Sequence, residues 1–185
     1  MYSLRLPRQK AAILHIRDSM IRYKFSKNMK ILFVGINPSP GTYKRGVPFS
    51  NNKTFWYLLK RAGLIDEKIS DLRDDTKLKQ IYNKKFNLVY KFGLVNVISR
   101  PTPDVSSLVK GEESVGRKKI LNIIKKYKPR VVCFVGKIAY EKFSHEKEFD
   151  FGWQNDIHHS KSYVMHFPLH GKASVRIHDL KLIVK

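Results

Sequence analysis

Four short apolar runs divide the chain, and they show no strict alternation of apolar and polar residues. Such runs are typical of strands buried on both faces of a parallel sheet, which needs helices between its strands. The segments between them contain helical spacing, so the pattern predicts an α/β fold. The predicted strands are Ile31–Ile36, Leu94–Val97, Val131–Val135 and Tyr163–Phe167.

Helices are predicted between these strands. Residues 55–62 keep apolar side chains at i, i+3, i+4 and i+7 and stop at Gly63, a common C-terminal signal. Residues 120–127 repeat this spacing and stop before Pro129, and a third helix is expected over residues 137–144. The prediction is therefore one domain with a central, mostly parallel four-stranded sheet flanked by helices.

The amino-terminal segment is basic, and we predict that residues 1–28 form a helical extension packed on a domain of residues 29–185. Ile13, Ile16, Met20 and Tyr23 would share one face of this helix, with basic residues on the others. A mitochondrial transit peptide is the alternative interpretation of a basic, acid-poor start.

The charge is the most unusual bulk property of the chain. Its 185 residues include 37 Lys and Arg against 15 Asp and Glu, a formal net charge of +22. Because such an excess repels itself, an anionic partner is expected, with nucleic acid the first candidate and an anionic membrane surface the second. A highly charged protein without such a partner is the remaining alternative.

Cysteine and histidine usage restricts the cofactors. Cys133, the one cysteine, lies in an apolar run and is expected to be buried, and a single cysteine excludes a four-thiolate iron–sulfur cluster. His158 and His159 are adjacent and would point apart in a strand or coil, so they do not suggest a metal site. We predict no cofactor and no metal.

Two loops rich in glycine and proline follow the first and last predicted strands, at residues 35–41 and 168–174. Ligands bind at the carboxyl ends of parallel strands, so both loops are expected to line one cleft. Asn37 directly follows the first strand, and Pro38 favours an extended backbone there, so the amide should project into the cleft. In isolation Asn-Pro-Ser-Pro-Gly is equally typical of an ordinary turn.

The wider sequence context favours a functional site. GINPSPGTYKRGVPFSNNKTFWYLLKRAG (residues 35–63) resembles the first motif of the mismatch-specific uracil/thymine DNA glycosylases. GLVNVISRPTPDVSSL (93–108) and GRKKILNIIKKYKPRVVCFVGKIAYE (116–141) continue the resemblance in matching order and spacing. The family fold, a parallel four-stranded sheet flanked by helices, agrees with the one predicted above.

The resemblance implies a monofunctional glycosylase that hydrolyses the N-glycosidic bond of uracil in mismatched duplex DNA. Asn37 matches the asparagine that orients the attacking water. Cleavage gives an oxocarbenium-like sugar, so the water needs positioning more than a strong base. The Gly35–Ile36 backbone is implied in the base pocket, where N–H groups would stabilise the anionic leaving base.

Two further side chains take roles from this resemblance. Phe49 matches the aromatic residue that stacks on the flipped base; without the motif, a core aromatic would be the better interpretation. Thr42 falls where the pocket meets C5 of the base, and its stiff, β-branched side chain should leave little room for the thymine methyl group. Phe55 and Trp56 are expected in the core.

The last loop departs from the family, with His and Lys where small residues are usual. His170, Gly171, Lys172 and Ala173 are predicted to contact the duplex, and Lys172 or a neighbour to fill the gap left by the flipped base. His170 as an ordinary surface histidine is an equally open interpretation. Residues 100–102 are expected to buttress the rim, with a phosphate contact by Arg100 as the rival role.

Two alternative functions remain open. A sister glycosylase with hypoxanthine or another lesion as its main substrate fits the altered last loop, whereas a catalytically inert nucleic-acid-binding module fits the charge alone.

Lys137 opens a predicted helix, whose N-terminus would suit a phosphate, although a solvated lysine is the simpler expectation. The predicted partner is double-stranded DNA with a flipped base. We expect a monomer to bind it in the compartment that holds the DNA, and we expect no membrane partner.

Overall fold

The structure, a computed structural model, describes residues 21–184. Its strands are β1 (Ile31–Gly35), β2 (Phe92–Asn96), β3 (Val131–Val135), β4 (Gly152–Ile157) and β5 (Ser160–Met165). The helices of this part of the chain are α1 (Pro40–Arg45), α2 (Thr54–Arg61), α3 (Ile69–Arg73), α4 (Asp75–Lys84), α5 (Glu113–Tyr127), α6 (Lys137–Ser144) and α7 (Ala173–Leu182). A short 3₁₀ turn covers Val105–Ser107.

The strands form one sheet in the order β2-β1-β3-β5-β4. Neighbours among β2, β1, β3 and β5 run parallel, which confirms the predicted four-stranded parallel core. A fifth strand, β4, joins the edge antiparallel to β5 and was not predicted. It is absent from the apolar pattern because its residues are half-buried or exposed rather than covered on both faces.

Both faces of the sheet are covered by helices, which explains the continuous apolar runs. Ile31 and Phe33 of β1 pack with residues of α2, α4 and α7, whereas Leu32 and Val34 pack with α5 and α6 on the other face. Alternate side chains of a strand point to opposite faces, so every position of β1 is buried. Cys133 is likewise fully buried, and burial raises the pKa of its thiol.

The three predicted helices are present. α6 covers residues 137–144 as predicted, α2 differs by one residue at each end, and α5 begins earlier, at Glu113. Sequence inspection missed α1, α3, α4 and α7. In α4 the signal was available, because Leu78, Ile81 and Tyr82 keep helical spacing and are all buried.

The predicted amino-terminal helix lies mostly outside the described residues. Residues 21–28 are described and contain no helix. They are tied to the domain all the same: Ile21 is buried, and the Tyr82 hydroxyl donates a 2.9 Å hydrogen bond to the carbonyl oxygen of Arg22. Among the described residues there is no helix of the length and apolarity that crossing a membrane requires.

Candidate active site

A cavity of about 600 Å³ opens at the carboxyl ends of the parallel strands. Its lining comes from the loop after β1, the segment that leads into α2, the end of β2 and the loop after it, the β3–α6 junction and the loop after β5. This size lies in the range of small-molecule sites, and the position is the one expected in open parallel sheets. Six of the predicted site residues line this cavity: Gly35, Ile36, Asn37, Thr42, Phe49 and His170. We call it the main cavity.

The side chain of Asn37 is held by its amide nitrogen. Asn37 Nδ2 donates a 2.5 Å hydrogen bond to Oγ1 of Thr102, with longer contacts of 3.3 Å and 3.4 Å to the carbonyl oxygens of Thr102 and Pro38. The Thr102 hydroxyl gives its own proton to the carbonyl oxygen of Asp104, at 2.9 Å. The hydroxyl can therefore only accept from Asn37, so it selects the NH₂ end of the amide. The Asn37 carbonyl oxygen, Oδ1, is left to accept a hydrogen bond within the main cavity.

Backbone hydrogen bonds fix the loop that carries Asn37. The carbonyl oxygens of Gly35 and Ile36 accept from the N–H groups of Val97 and Ile98, at 2.9 and 2.8 Å, so the loop leaves β1 anchored to the exit of β2. Further along, the N–H of Thr102 donates to the Pro38 carbonyl oxygen at 3.1 Å. Thr102 thus supports both the backbone and the side chain of the loop, which agrees with the predicted buttressing role of residues 100–102.

One wall of the main cavity is aromatic. The Phe49 ring lies on Phe55, with ring centroids 4.5 Å apart and an angle of 31° between the planes. Phe55 and Trp56 are core residues as predicted, exposed by 1% and 0%. Phe49 has a left-handed backbone, with φ of 53°, which is uncommon for a residue with a bulky side chain.

Close packing explains why a glycine stands at position 35. A Cβ atom there would overlap Oδ1 of Asn96 and approach Cζ of Phe49 to 3.3 Å. Asn96, the last residue of β2, is paired with Gly35 across the sheet, is 4% exposed and lines the main cavity. Gly35, Phe49 and Asn96 therefore pack as one unit.

Thr42 lies in the first turn of α1. Its side chain is buried and lines the main cavity. The helix cap is supplied by Ser39, whose Oγ accepts from the Thr42 N–H at 3.3 Å. The Thr42 hydroxyl is therefore not needed for capping, and the side chain is one of the surfaces that a bound molecule would meet.

The last loop is shorter than predicted, because Ala173 already belongs to α7 and Lys172 is its N-cap. Leu169, which is 47% exposed, and His170 line the main cavity, whereas Gly171, Lys172 and Ala173 do not. Gly171 has a positive φ of 79°, a conformation that favours glycine.

Arg176 of α7 holds this loop from behind. Its guanidinium donates from Nε to the carbonyl oxygen of Phe167 and from one terminal nitrogen to that of Lys172, both at 2.6 Å, and the side chain is 5% exposed. Nearby, the carboxylate of Asp179 accepts 2.9 Å hydrogen bonds from the Tyr163 hydroxyl and the His166 N–H. The ends of β5 and α7 are thereby joined by buried polar groups.

The charged side chains at the rim are largely engaged with neighbours. Arg100 pairs with both carboxylate oxygens of Glu112, at 2.7 and 2.8 Å, which favours the buttressing role over the phosphate contact. Lys137 donates to the Phe149 carbonyl oxygen at 2.9 Å rather than extending into solvent. Asp104 lines the main cavity, and hydrogen bonds from Ser106 and Ser107 hold its pKa below the usual range, so it is ionised at neutral pH.

The family comparison agrees with this geometry. The model of the uracil DNA glycosylase superfamily matches residues 23–178, which include every strand and the whole lining of the main cavity. The chain belongs to the uracil DNA glycosylase superfamily. Superfamily members are DNA glycosylases, hydrolases that release bases from DNA, so the main cavity is the candidate active site. No group of three or more potential metal ligands occurs among residues 21–184.

Sequence reasoning missed three residues that line or support the candidate site. Asn96 had an available signal, since it is a polar residue at the carboxyl end of a buried strand, the same position that singled out Asn37. Arg176 and Asp179 had none, because their partners lie 4 to 16 residues away and only the folded chain brings them together.

Proposed function

We propose that this superfamily member is a monofunctional, mismatch-specific glycosylase that removes uracil, and thymine less efficiently, from duplex DNA. The observation that carries the proposal is the fixed amide of Asn37. Its nitrogen is committed to Thr102, so its oxygen is free to accept a hydrogen bond from a water molecule.

The chemistry suits a neutral amide. As the bond between C1′ and the base breaks, the sugar gains oxocarbenium character and needs only a correctly placed water. The Asn37 oxygen would hold that water, and once the C1′–O bond has formed the water's proton passes to solvent. The departing base carries the electron pair of the broken bond as an anion, which backbone N–H groups near Gly35 and Ile36 would stabilise.

The cavity walls favour a flipped pyrimidine. A flipped base loses its stacking neighbours, and the Phe49 ring, itself supported by Phe55, offers a replacement face. The buried Asn96 amide supplies both a donor and an acceptor for the polar edge of the base. Thr42, buried in the wall, restricts space for a methyl group at C5.

The duplex itself would contact the rim around the main cavity. Leu169 and His170 lie at this rim, and an exposed apolar side chain such as Leu169 can enter the space that the flipped base vacates. We therefore propose Leu169 as the wedge, three residues before the Lys172 that the sequence suggested. We expect a monomer to suffice, in the compartment that holds the DNA.

Excision from four duplexes tests the proposal. They carry uracil, thymine, hypoxanthine or ethenocytosine opposite guanine and are otherwise identical. We expect uracil to be removed fastest and thymine next, without loss of activity in EDTA and without a borohydride-trapped protein–DNA adduct. Fastest removal of hypoxanthine would support the sister glycosylase instead, and no excision of any base would support the inert binding module.

A further inference from the structure

A second, smaller concavity lies at the amino ends of the strands, opposite the main cavity. It measures about 200 Å³ and is bordered by the end of α5 and by the turn between β4 and β5. We call it the histidine–lysine pocket; its lining residues are Ile124, Lys125, Lys128, His158, His159 and Ser160. No carboxylate is among these lining residues.

The fold builds this pocket from two fixed segments. Lys128 ends α5 in a left-handed conformation, with φ of 48°, and directs the chain towards β3. His158 is also left-handed, with φ of 56°, in the tight turn before β5. The buried Ser160 hydroxyl donates a 2.5 Å hydrogen bond to the Pro129 carbonyl oxygen, which ties the two segments together. Both adjacent histidines, His158 and His159, are among the residues that line the pocket.

Helix stabilisation does not account for this arrangement. Basic residues at a helix C-terminus interact favourably with the helix dipole, which is sufficient reason for Lys125. It gives no reason for two imidazoles on a separate turn. Nor does the helix dipole explain the positive charge of residues 114–140, which contain eight Lys and Arg and no Asp or Glu.

The positive charge continues along the same end of the sheet. Lys30 and Lys91 immediately precede β1 and β2, and the Lys30 N–H donates a 2.8 Å hydrogen bond to the Lys91 carbonyl oxygen. The nearby carboxylate of Asp156 is engaged with Lys161 at 2.9 Å. Lys30 and Lys91, like the lysines of the histidine–lysine pocket, are therefore remote from the main cavity, where a flipped base would bind.

We propose that the histidine–lysine pocket binds a backbone phosphate of a second DNA duplex, so that one protein molecule bridges two DNA segments. Lys125 and Lys128 supply charged donors, and the imidazoles of His158 and His159 supply N–H donors, which together suit phosphate oxygens. The inference rests on the proposed function only in taking DNA as the partner of the main cavity.

The distance between the main cavity and the histidine–lysine pocket requires a second DNA segment. β1 and β3 are five residues long, and at about 3.3 Å per residue each spans roughly 16 Å between the two ends of the sheet. DNA is stiff over about 150 base pairs, so a short duplex on the main cavity does not bend around to the opposite face. A phosphate in the histidine–lysine pocket must then come from another duplex.

A bridging assay tests the inference with undamaged DNA. One duplex of about 20 base pairs, roughly two helical turns, is immobilised, and the protein is used to capture a second, fluorescent copy. The variant K125Q/K128Q removes two charges from the pocket, and H158N/H159N removes the imidazole donors. The matched control K79Q/K84Q removes two charges from exposed lysines of α4. Uracil excision from a separate duplex and the thermal midpoint of unfolding are measured on the same protein preparations.

We expect the parent protein and K79Q/K84Q to capture the second duplex and both pocket variants to capture about tenfold less, with excision unchanged. The log–log salt dependence of capture should become shallower by about 0.9 for each phosphate that the variant no longer neutralises. Retained capture in the pocket variants, or an equal loss in K79Q/K84Q, would overturn the inference. So would histidine NMR signals that respond to inorganic phosphate or anionic vesicles but not to duplex. Absence of excision with normal capture would contradict the proposed function alone.

Discussion

Replacing Thr102 with valine tests how Asn37 is oriented. Valine keeps the shape of threonine but has no hydroxyl, so the shortest hydrogen bond to Asn37 Nδ2 is removed while the longer ones at 3.3 Å and 3.4 Å remain. The amide should then lose much of its preference for the orientation that points Oδ1 into the main cavity. The Thr102 side chain is 1% exposed, so water has little access with which to replace the hydroxyl.

The size of the effect follows from one hydrogen bond. Such a bond contributes about 1 kcal/mol net, and loss of its partner inside the protein costs about 1–3 kcal/mol. We therefore expect kcat for uracil to fall by roughly 5- to 100-fold, since about 1.4 kcal/mol corresponds to a factor of ten. KM should change little, because Thr102 acts on Asn37 rather than on the base.

Single-turnover excision measures this effect, with Thr102→Ser as the control that keeps the hydroxyl. In a background of Asn37→Ala the same valine substitution should have no further effect on the rate, because the residue it positions is gone. Parental activity in Thr102→Val would show that the Thr102 hydroxyl does not orient the Asn37 amide. An equal loss with and without Asn37 would show that Thr102 only stabilises the rim.

Three further predictions concern neighbouring groups. Gly35→Ala should reduce excision at least about tenfold through displacement of Asn96, on the scale of a small misplacement in a site; a parental rate would contradict the close packing. Thr42→Ala should narrow the preference for uracil over thymine, which we expect at roughly 10- to 200-fold; an unchanged ratio of the two excision rates would mean that Thr42 does not meet C5. Asp179→Ala should lower the free energy of unfolding in urea by about 2–4 kcal/mol, since it leaves buried donors unpaired, among them the Tyr163 hydroxyl. A smaller loss of unfolding free energy in Asp179→Ala than in the control Tyr163→Phe would contradict this explanation.

The parallel core was predictable because its physical signal is local. β1 and β3 are buried on both faces, so their sequences are apolar at every position, and the apolar pattern located them directly. β4 escaped because an exposed edge strand has no such requirement: Trp153, near its start, is 50% exposed. The end of the last loop was misplaced because α7 begins without a side-chain cap, so nothing in the local sequence marks Ala173 as helical.

The candidate site was predictable in part. The position of Asn37 follows from its place at the end of a strand, but its orientation depends on Thr102, 65 residues away. The basic composition likewise indicated an anionic partner without showing how the charge is distributed. Only the fold reveals that His158 and His159 share a pocket with lysines at the end of the sheet remote from Asn37.

Excision by Asn37→Ala tests whether the Asn37 amide positions the attacking water. The parent and the variant are compared on a duplex with uracil opposite guanine under single-turnover conditions, and their affinity for the same duplex is measured alongside. We expect a rate at least about 100-fold lower, the scale of removing one well-placed catalytic group, with DNA binding retained. Uracil excision at the parental rate would contradict this positioning role.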